Sequence, residues 1–115
     1  MCKRILPLLA AALLALTVIA GAAEAREAHP SMTLSFQGTT AICTASVSEA
    51  GKQIKATLEL WCGTTLIDCW DASGTSYVNF SETTAVTSGK TYRLTLVGTS
   101  NGNAFTPQSI TKTCP

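Results

Sequence analysis

The amino-acid sequence predicts an all-β domain behind a removable N-terminal segment, and three observations carry that prediction. Apolar residues recur with period two from Met32 onward, and no stretch of the later chain keeps a helical period. Turn-forming residues interrupt this alternation at intervals of roughly 8–12 residues. Residues 26–115 hold 17 Thr and 10 Ser against 34 apolar residues, which suits antiparallel strands with one face in water.

The first 25 residues stand apart, because they hold 19 of the apolar residues of the chain. Lys3 and Arg4 precede an apolar run from Leu8 to Ala20, and Ala23-Glu24-Ala25 follows as an A-x-A site. That order is the layout of a secretory signal peptide spanning residues 1–25, with cleavage after Ala25, or else after Ala22 or Ala23. A spanning helix needs about 20 apolar residues, and this run is shorter and ends in small residues and Glu24. Cys2 lies ahead of the run, so it is not placed as a lipid-bearing cysteine. The mature chain is therefore expected to be secreted, with no membrane span. It carries six basic and six acidic side chains, a balance that excludes the basic surface of a nucleic-acid binder.

The elements are read in order. Residues 26–31 form a flexible tail. Met32, Leu34 and Phe36 alternate with polar residues as a first strand, and Gly38-Thr39 turns the chain. Ala41, Cys43, Ala45 and Val47 share one face of a second strand, which ends in a turn at Glu49–Gly51. Ile54, Ala56, Leu58 and Leu60 give the third strand its core face and put Lys55, Thr57, Glu59 and Trp61 on the other. Gly63-Thr64-Thr65 leads into a fourth strand, Leu66–Ala72, closed by Ser73-Gly74. Val78 and Phe80 mark the fifth. Tyr92, Leu94 and Leu96 mark the sixth, after Thr87-Ser88-Gly89. Asn101-Gly102 is the strongest short-range hairpin signal in the chain, and Phe105–Thr113 supplies the seventh strand. Seven short strands spaced in this way describe an antiparallel immunoglobulin-like or fibronectin-III-like sandwich over residues 32–115. Tyr92, just after a turn at the start of the sixth strand, sits where such folds place their corner tyrosine.

Loss of the first segment leaves Cys43, Cys62, Cys69 and Cys114. The closest pair is C-x6-C, which fits neither the C-x2–4-C spacing of zinc sites nor the C-x-x-C of a catalytic dithiol. In an up-and-down arrangement Cys43, early in the second strand, meets Cys114, at the end of the seventh. Cys62 and Cys69 flank one turn at the same pole. The expected disulfides are therefore Cys43–Cys114 and Cys62–Cys69, contributing about 4 and about 2.5 kcal/mol by loop closure.

Gly38-Thr39-Thr40-Ala41-Ile42-Cys43, Leu58-Glu59-Leu60-Trp61, Cys69-Trp70, Gly89-Lys90-Thr91-Tyr92-Arg93-Leu94 and Lys112-Thr113-Cys114-Pro115 together resemble an uncharacterised family of small proteins exported by Gram-positive bacteria. Its members join a signal peptide to one Ser/Thr-rich β-domain ending near Cys-Pro. The resemblance covers nearly all of the mature chain. It implies a two-cysteine frame at Cys43 and Cys114, with Cys62 and Cys69 as an addition. It implies no activity.

No catalytic constellation emerges. A Ser or Thr nucleophile needs a base, and the one histidine, His29, falls in the expected tail. Glu59, Asp68 and Asp71 lie on one hairpin and could act as paired carboxylates or hold calcium, but their spacing is too sparse for a dedicated calcium loop, and a solvated hairpin face accounts for them. Asn79-Phe80-Ser81 is a glycosylation sequon, meaningful only in a eukaryotic secretory pathway. No cofactor and no metal is expected. If Cys62 faced Cys69, then Trp61 would face Trp70 on the sheet surface; a bulge in the fourth strand would instead send Trp70 into the core. The expected function is that of an extracellular binding module, not an enzyme. Its contact residues would be Trp61, Trp70, Glu59, Asp68 and Asp71, and its partner a protein or glycan outside the cell. A carbohydrate-binding module using Trp61, Trp70 and Tyr77 is one alternative. A toxin or antimicrobial effector is another, disfavoured by zero net charge.

Overall fold

The computed structural model describes residues 28–115. The expected signal peptide and residues 26 and 27 lie outside them. The described residues form six antiparallel strands and no helix: β1 (His29–Gln37), β2 (Thr40–Cys62), β3 (Thr65–Ala85), β4 (Thr91–Ser100), β5 (Asn103–Ala104) and β6 (Gln108–Thr113). β1 pairs with the first half of β2, and β3 lies along the whole of β2 on the other side. β4 pairs with the second half of β2, beside the segment that β1 does not reach. β6 and the two-residue β5 pair with β4.

The seven expected strands become six because two expected turns are bends. Ser48 of β2 stands opposite Tyr77 of β3, and Gln53 opposite Thr75, so four residues of β2 face the single Ser76. Ser76 takes a positive φ of 73°, and its hydroxyl accepts the Gly51 N–H at 3.0 Å. Both strands turn the corner together, and the ladder resumes beyond it. At the other end, the expected strand Phe105–Thr113 is shortened to β6, because Pro107 has no N–H to give a ladder, and the two-residue β5 forms ahead of it in the expected turn. The expected tail is also shorter. Strand pairing begins at His29, opposite Ser48, and Pro30 is accommodated because β1 is an edge.

The bend brings both halves of the sheet against one core. Leu34, Cys43, Ala45, Val47, Val78 and Phe80 from the first half join Ile54, Leu58, Leu60, Tyr92, Leu94, Leu96 and Phe105. These are the residues whose alternation predicted burial. Gly98 of β4 is where the two strands and Phe105 meet most closely: a Cβ there would lie 2.1 Å from the Lys55 carbonyl oxygen and 2.9 Å from the Phe105 ring. The wet faces carry cross-strand hydroxyl pairs, Ser31 with Ser46 at 3.1 Å, Thr33 with Thr44, and Thr91 with Thr113 at 2.8 Å. Such pairs explain why Ser and Thr are so common here.

One pole is closed by backbone bonds. Val86 donates to the Thr39 carbonyl, Gly89 to Cys114, and Cys114 to Lys90, at 2.8–2.9 Å. Tyr92 is buried, packs on Phe36 with ring centroids 6.1 Å apart, and accepts the Thr87 N–H at its hydroxyl at 2.8 Å. The β4–β5 hairpin turns on Asn101-Gly102, both at positive φ (51° and 84°), as a two-residue type I′ turn requires.

The expected disulfides are not formed. Cys43, Cys62 and Cys114 carry free thiols, so no bridge joins two of the four described cysteines. The ladder shows why Cys62 and Cys69 cannot meet. Cys62 pairs with Thr65, whereas Cys69 pairs with Glu59. Three rungs at about 3.4 Å separate them, beyond the roughly 7 Å that a disulfide spans between Cα atoms. Cys43 and Cys114 are both buried in the core, but the Cys114 sulfur is directed at the Gly38 carbonyl, 3.4 Å away. Burial, reinforced by Asp68 and Glu82, pushes the Cys43 thiol up to about 11.

Candidate functional site

On the second half of β2, alternation turns Thr57, Glu59 and Trp61 away from Leu58 and Leu60. Neighbouring strands extend this outer row. Asp71 of β3 stands opposite Thr57, Cys69 opposite Glu59, and on β4 Thr95 stands opposite Glu59 and Arg93 opposite Trp61. The row continues onto β6, where Thr111 and Ser109 face Arg93 and Thr95.

Glu59 is the unusual member. It lies on the face turned away from the core yet is only 8% exposed, and it is the one buried charged residue among those described. Its Oε1 accepts the Trp61 indole N–H at 3.2 Å and the Thr95 hydroxyl at 3.4 Å. The Arg93 guanidinium stacks over the Trp61 ring, 5.9 Å from its centroid, within cation–π range. Burial pushes the Glu59 carboxyl above its usual value, and the negative charge of Asp71 adds to that. The bonds from Trp61 and Thr95 and the charge of Arg93 pull the other way. Asp71 accepts the Thr57 hydroxyl at 2.8 Å. The result is a half-buried indole held between a carboxyl and a guanidinium, with Asp71 farther along the same face beside Thr57.

The five expected contact residues therefore divide. Trp61, Glu59 and Asp71 share the outer face, with Asp71 exposed. Trp70 and Asp68 do not join them. Trp70 stands opposite Leu58 and Asp68 opposite Leu60, on the core side, where Trp70 packs half-buried against the core. The Trp61–Trp70 surface pair is not formed. Trp61 faces Leu66, because an irregularity after Leu60 leaves Ile67 as an extra residue in β3. Asp68 uses its carboxylate locally, accepting the Cys69 N–H at 2.8 Å. Tyr77, 59% exposed, lies beyond the bend, opposite Ser48 and far along the ladder from Trp61. His29 is exposed at the outer end of β1.

Sequence reasoning missed Arg93 and Thr95. Their alternation with Leu94 and Leu96 was enough to turn them outward; that they border Trp61 and Glu59 depends on which strand lies beside β2. The burial of Glu59 was missed for the same reason. No group of three or more His, Cys, Asp or Glu side chains is arranged to hold a metal among the described residues, and no helix among them is long and apolar enough to cross a membrane. The chain matches no protein-family model and no curated protein.

Proposed function

We propose that this protein is an exported binding module that contacts its partner through the outer face of β2 and β4, with Trp61 as the anchor. One observation carries the reading: a carboxyl is buried on a face that should be solvated, an indole is hydrogen-bonded to it, and a guanidinium stacks on that indole. Acidic side chains are seldom buried unless they are paired. A Trp with one hydrogen-bonded and one stacked neighbour is already ordered, so binding loses little side-chain freedom. Trp and Arg are also the side chains that most often anchor interfaces.

In this reading the bent sheet is an immunoglobulin-like sandwich. β1, the first half of β2 and the second half of β3 make one layer. The first half of β3, the second half of β2, β4 and β6 make the other. The Tyr92-to-Thr87 bond supports it, because the corner tyrosine of such sandwiches bonds backbone a few residues upstream. Export rests on residues 1–25, and membership of the Gram-positive family on the motifs quoted above. A carbohydrate-binding reading loses its two-tryptophan platform and would rest on Trp61 alone.

Mass analysis of the exported protein should find Arg26 at its N-terminus. Iodide should quench the Trp61 fraction of its fluorescence, and Trp61→Ala should abolish that fraction. A glycan array and a peptidoglycan pull-down, each repeated with Trp61→Ala, then separate glycan from protein partners. Complete shielding of both tryptophans from iodide would defeat the proposal.

A further inference from the structure

The tip of the β4–β5 hairpin is tied to the bend of β2. Asn101 donates its main-chain N–H to the Gln53 carbonyl at 2.8 Å, and its side-chain Oδ1 accepts the Gln53 N–H at 2.7 Å. The neighbouring Ser100 is buried, and its hydroxyl donates to Oε1 of Glu49 at 2.6 Å. Gln53 in turn accepts the hydroxyl of Thr75, on β3, at 3.2 Å. These bonds make a clasp that joins β2, β3 and β4 at the corner. It lies at the opposite end of the β2–β4 ladder from Trp61, which pairs with Arg93 where Ile54 pairs with Ser100.

One member of the clasp is chemically labile. Asparagine is among the residues that heat degrades, and the residue after it governs the reaction. A glycine has no side chain to hinder its own nitrogen, so that nitrogen can reach the carboxamide before it. Of the three asparagines, Asn79, Asn101 and Asn103, only Asn101 precedes a glycine. Asn101 and Gly102 are both exposed, so water and hydroxide reach them. Asn79 sits inside a ladder opposite Ser46 and precedes the buried Phe80. Asn103 precedes Ala104 in β5.

We propose that Asn101 is a one-way modification site whose conversion releases this clasp. Hydroxide takes the proton from the Gly102 amide, and the nitrogen attacks Cγ of Asn101. A C–N bond forms, the bond from Cγ to the side-chain nitrogen breaks, and that nitrogen leaves as ammonia with a proton from water. A five-membered succinimide remains. Water then opens it at either carbonyl, giving aspartate or isoaspartate, so the net change is one water taken up for one ammonia lost. Ring closure turns the carboxamide back along its own main chain and away from the Gln53 N–H. The closed hairpin therefore holds the reaction back, and conversion runs through its local opening. Refolding does not undo the result. Isoaspartate lengthens the main chain of a two-residue turn whose residues both hold positive φ, 51° and 84°. Aspartate sets a second carboxylate beside the Ser100–Glu49 bond, where like charges repel.

Peptide mass mapping in heavy-oxygen water tests the proposal. The exported protein is kept warm at mildly alkaline pH, folded and in concentrated urea, then cleaved after Arg93 and Lys112. Asn101 should become an acid carrying one heavy oxygen, and at least about tenfold faster in urea than folded. Asn79 and Asn103 should stay amides over the same interval. In amide spectra of the converted, labelled protein the Gln53 signal should move, while those of Leu34 and the Trp61 indole stay in place. Asn101→Gly keeps a residue that tolerates positive φ, and should leave the peptide between Arg93 and Lys112 unconverted. Equal rates folded and in urea, no conversion in urea, conversion of Asn79 or Asn103 as fast as Asn101, or an unmoved Gln53 signal in the converted protein would overturn it.

Discussion

Replacing Tyr92 by Phe removes one oxygen from the buried corner and leaves the rest of the side chain. The ring keeps its place in the core and its tilted contact with Phe36. What is lost is the acceptor for the Thr87 N–H, held at 2.8 Å in a partly buried setting. An unsatisfied buried donor costs about 1–3 kcal/mol. Thr87 itself is exposed, so water can recover part of that, and about 1–2 kcal/mol is expected. For a domain of this size each kcal/mol moves Tm by about 4–8 °C, so Tyr92→Phe should lower Tm by about 4–16 °C. Tyr77→Phe is the matched control, because its ring is largely in solvent and surface changes of this kind stay within about 0.5 kcal/mol. Differential scanning calorimetry of the three proteins gives the comparison. If Tyr92→Phe melts with Tyr77→Phe, the hydroxyl does not hold the β3–β4 connection, and the support that it lends to the sandwich reading goes with it.

Further outcomes follow from the same geometry. The raised Glu59 carboxyl makes its contribution to stability fully present below the ordinary glutamate value of 4.5, and lost as pH rises through the higher folded value. Glu59→Gln keeps an acceptor for Trp61, so urea melts should show it more stable than the parent at pH 7 and level with it at pH 4; an equal difference at both would refute the burial argument. Iodoacetamide at pH 8 should modify half-buried Cys62 in the folded protein, and Cys43 only after unfolding, since a thiol at about 11 is ionised in about one molecule per thousand; native labelling of Cys43, read by peptide mass mapping, would contradict its burial. Gly98→Ala must separate β4 from β2 or displace Phe105, and should cost about 3 kcal/mol or more in urea melts, the upper range for overpacking; a loss below about 1 kcal/mol would show that the strands are not so close.

Much of the fold was legible because one physical rule governs it: a strand with one wet face alternates. Ala41 to Val47, Ile54 to Leu60, Val78 with Phe80, and Tyr92 to Leu96 were all placed on the core side by that rule and are buried there. Local composition could not say whether a turn signal reverses a strand or only bends it. Glu49–Gly51 and Ser73-Gly74 look like reversals, yet they lie at or beside a corner where two paired strands deviate together. Half of the candidate site was legible for a related reason. The outward position of Trp61 and Glu59 is local information. The extra residue at Ile67, which sends Trp70 to the other face, and the placing of Arg93 beside Trp61 are set by pairing between distant strands.

That shared corner has a consequence for how the molecule comes apart. Because β2 and β3 each run from one half of the sheet to the other, opening of one half strains the strands that the other half shares. A hairpin started at Gly63-Thr64 can zip through the bend and lay down the backbone of both halves before β1 or β4 arrives. Unfolding should therefore be a single cooperative event. Amide exchange on β2 should report one common opening energy on both sides of Gly51, where two separately hinged layers would report two.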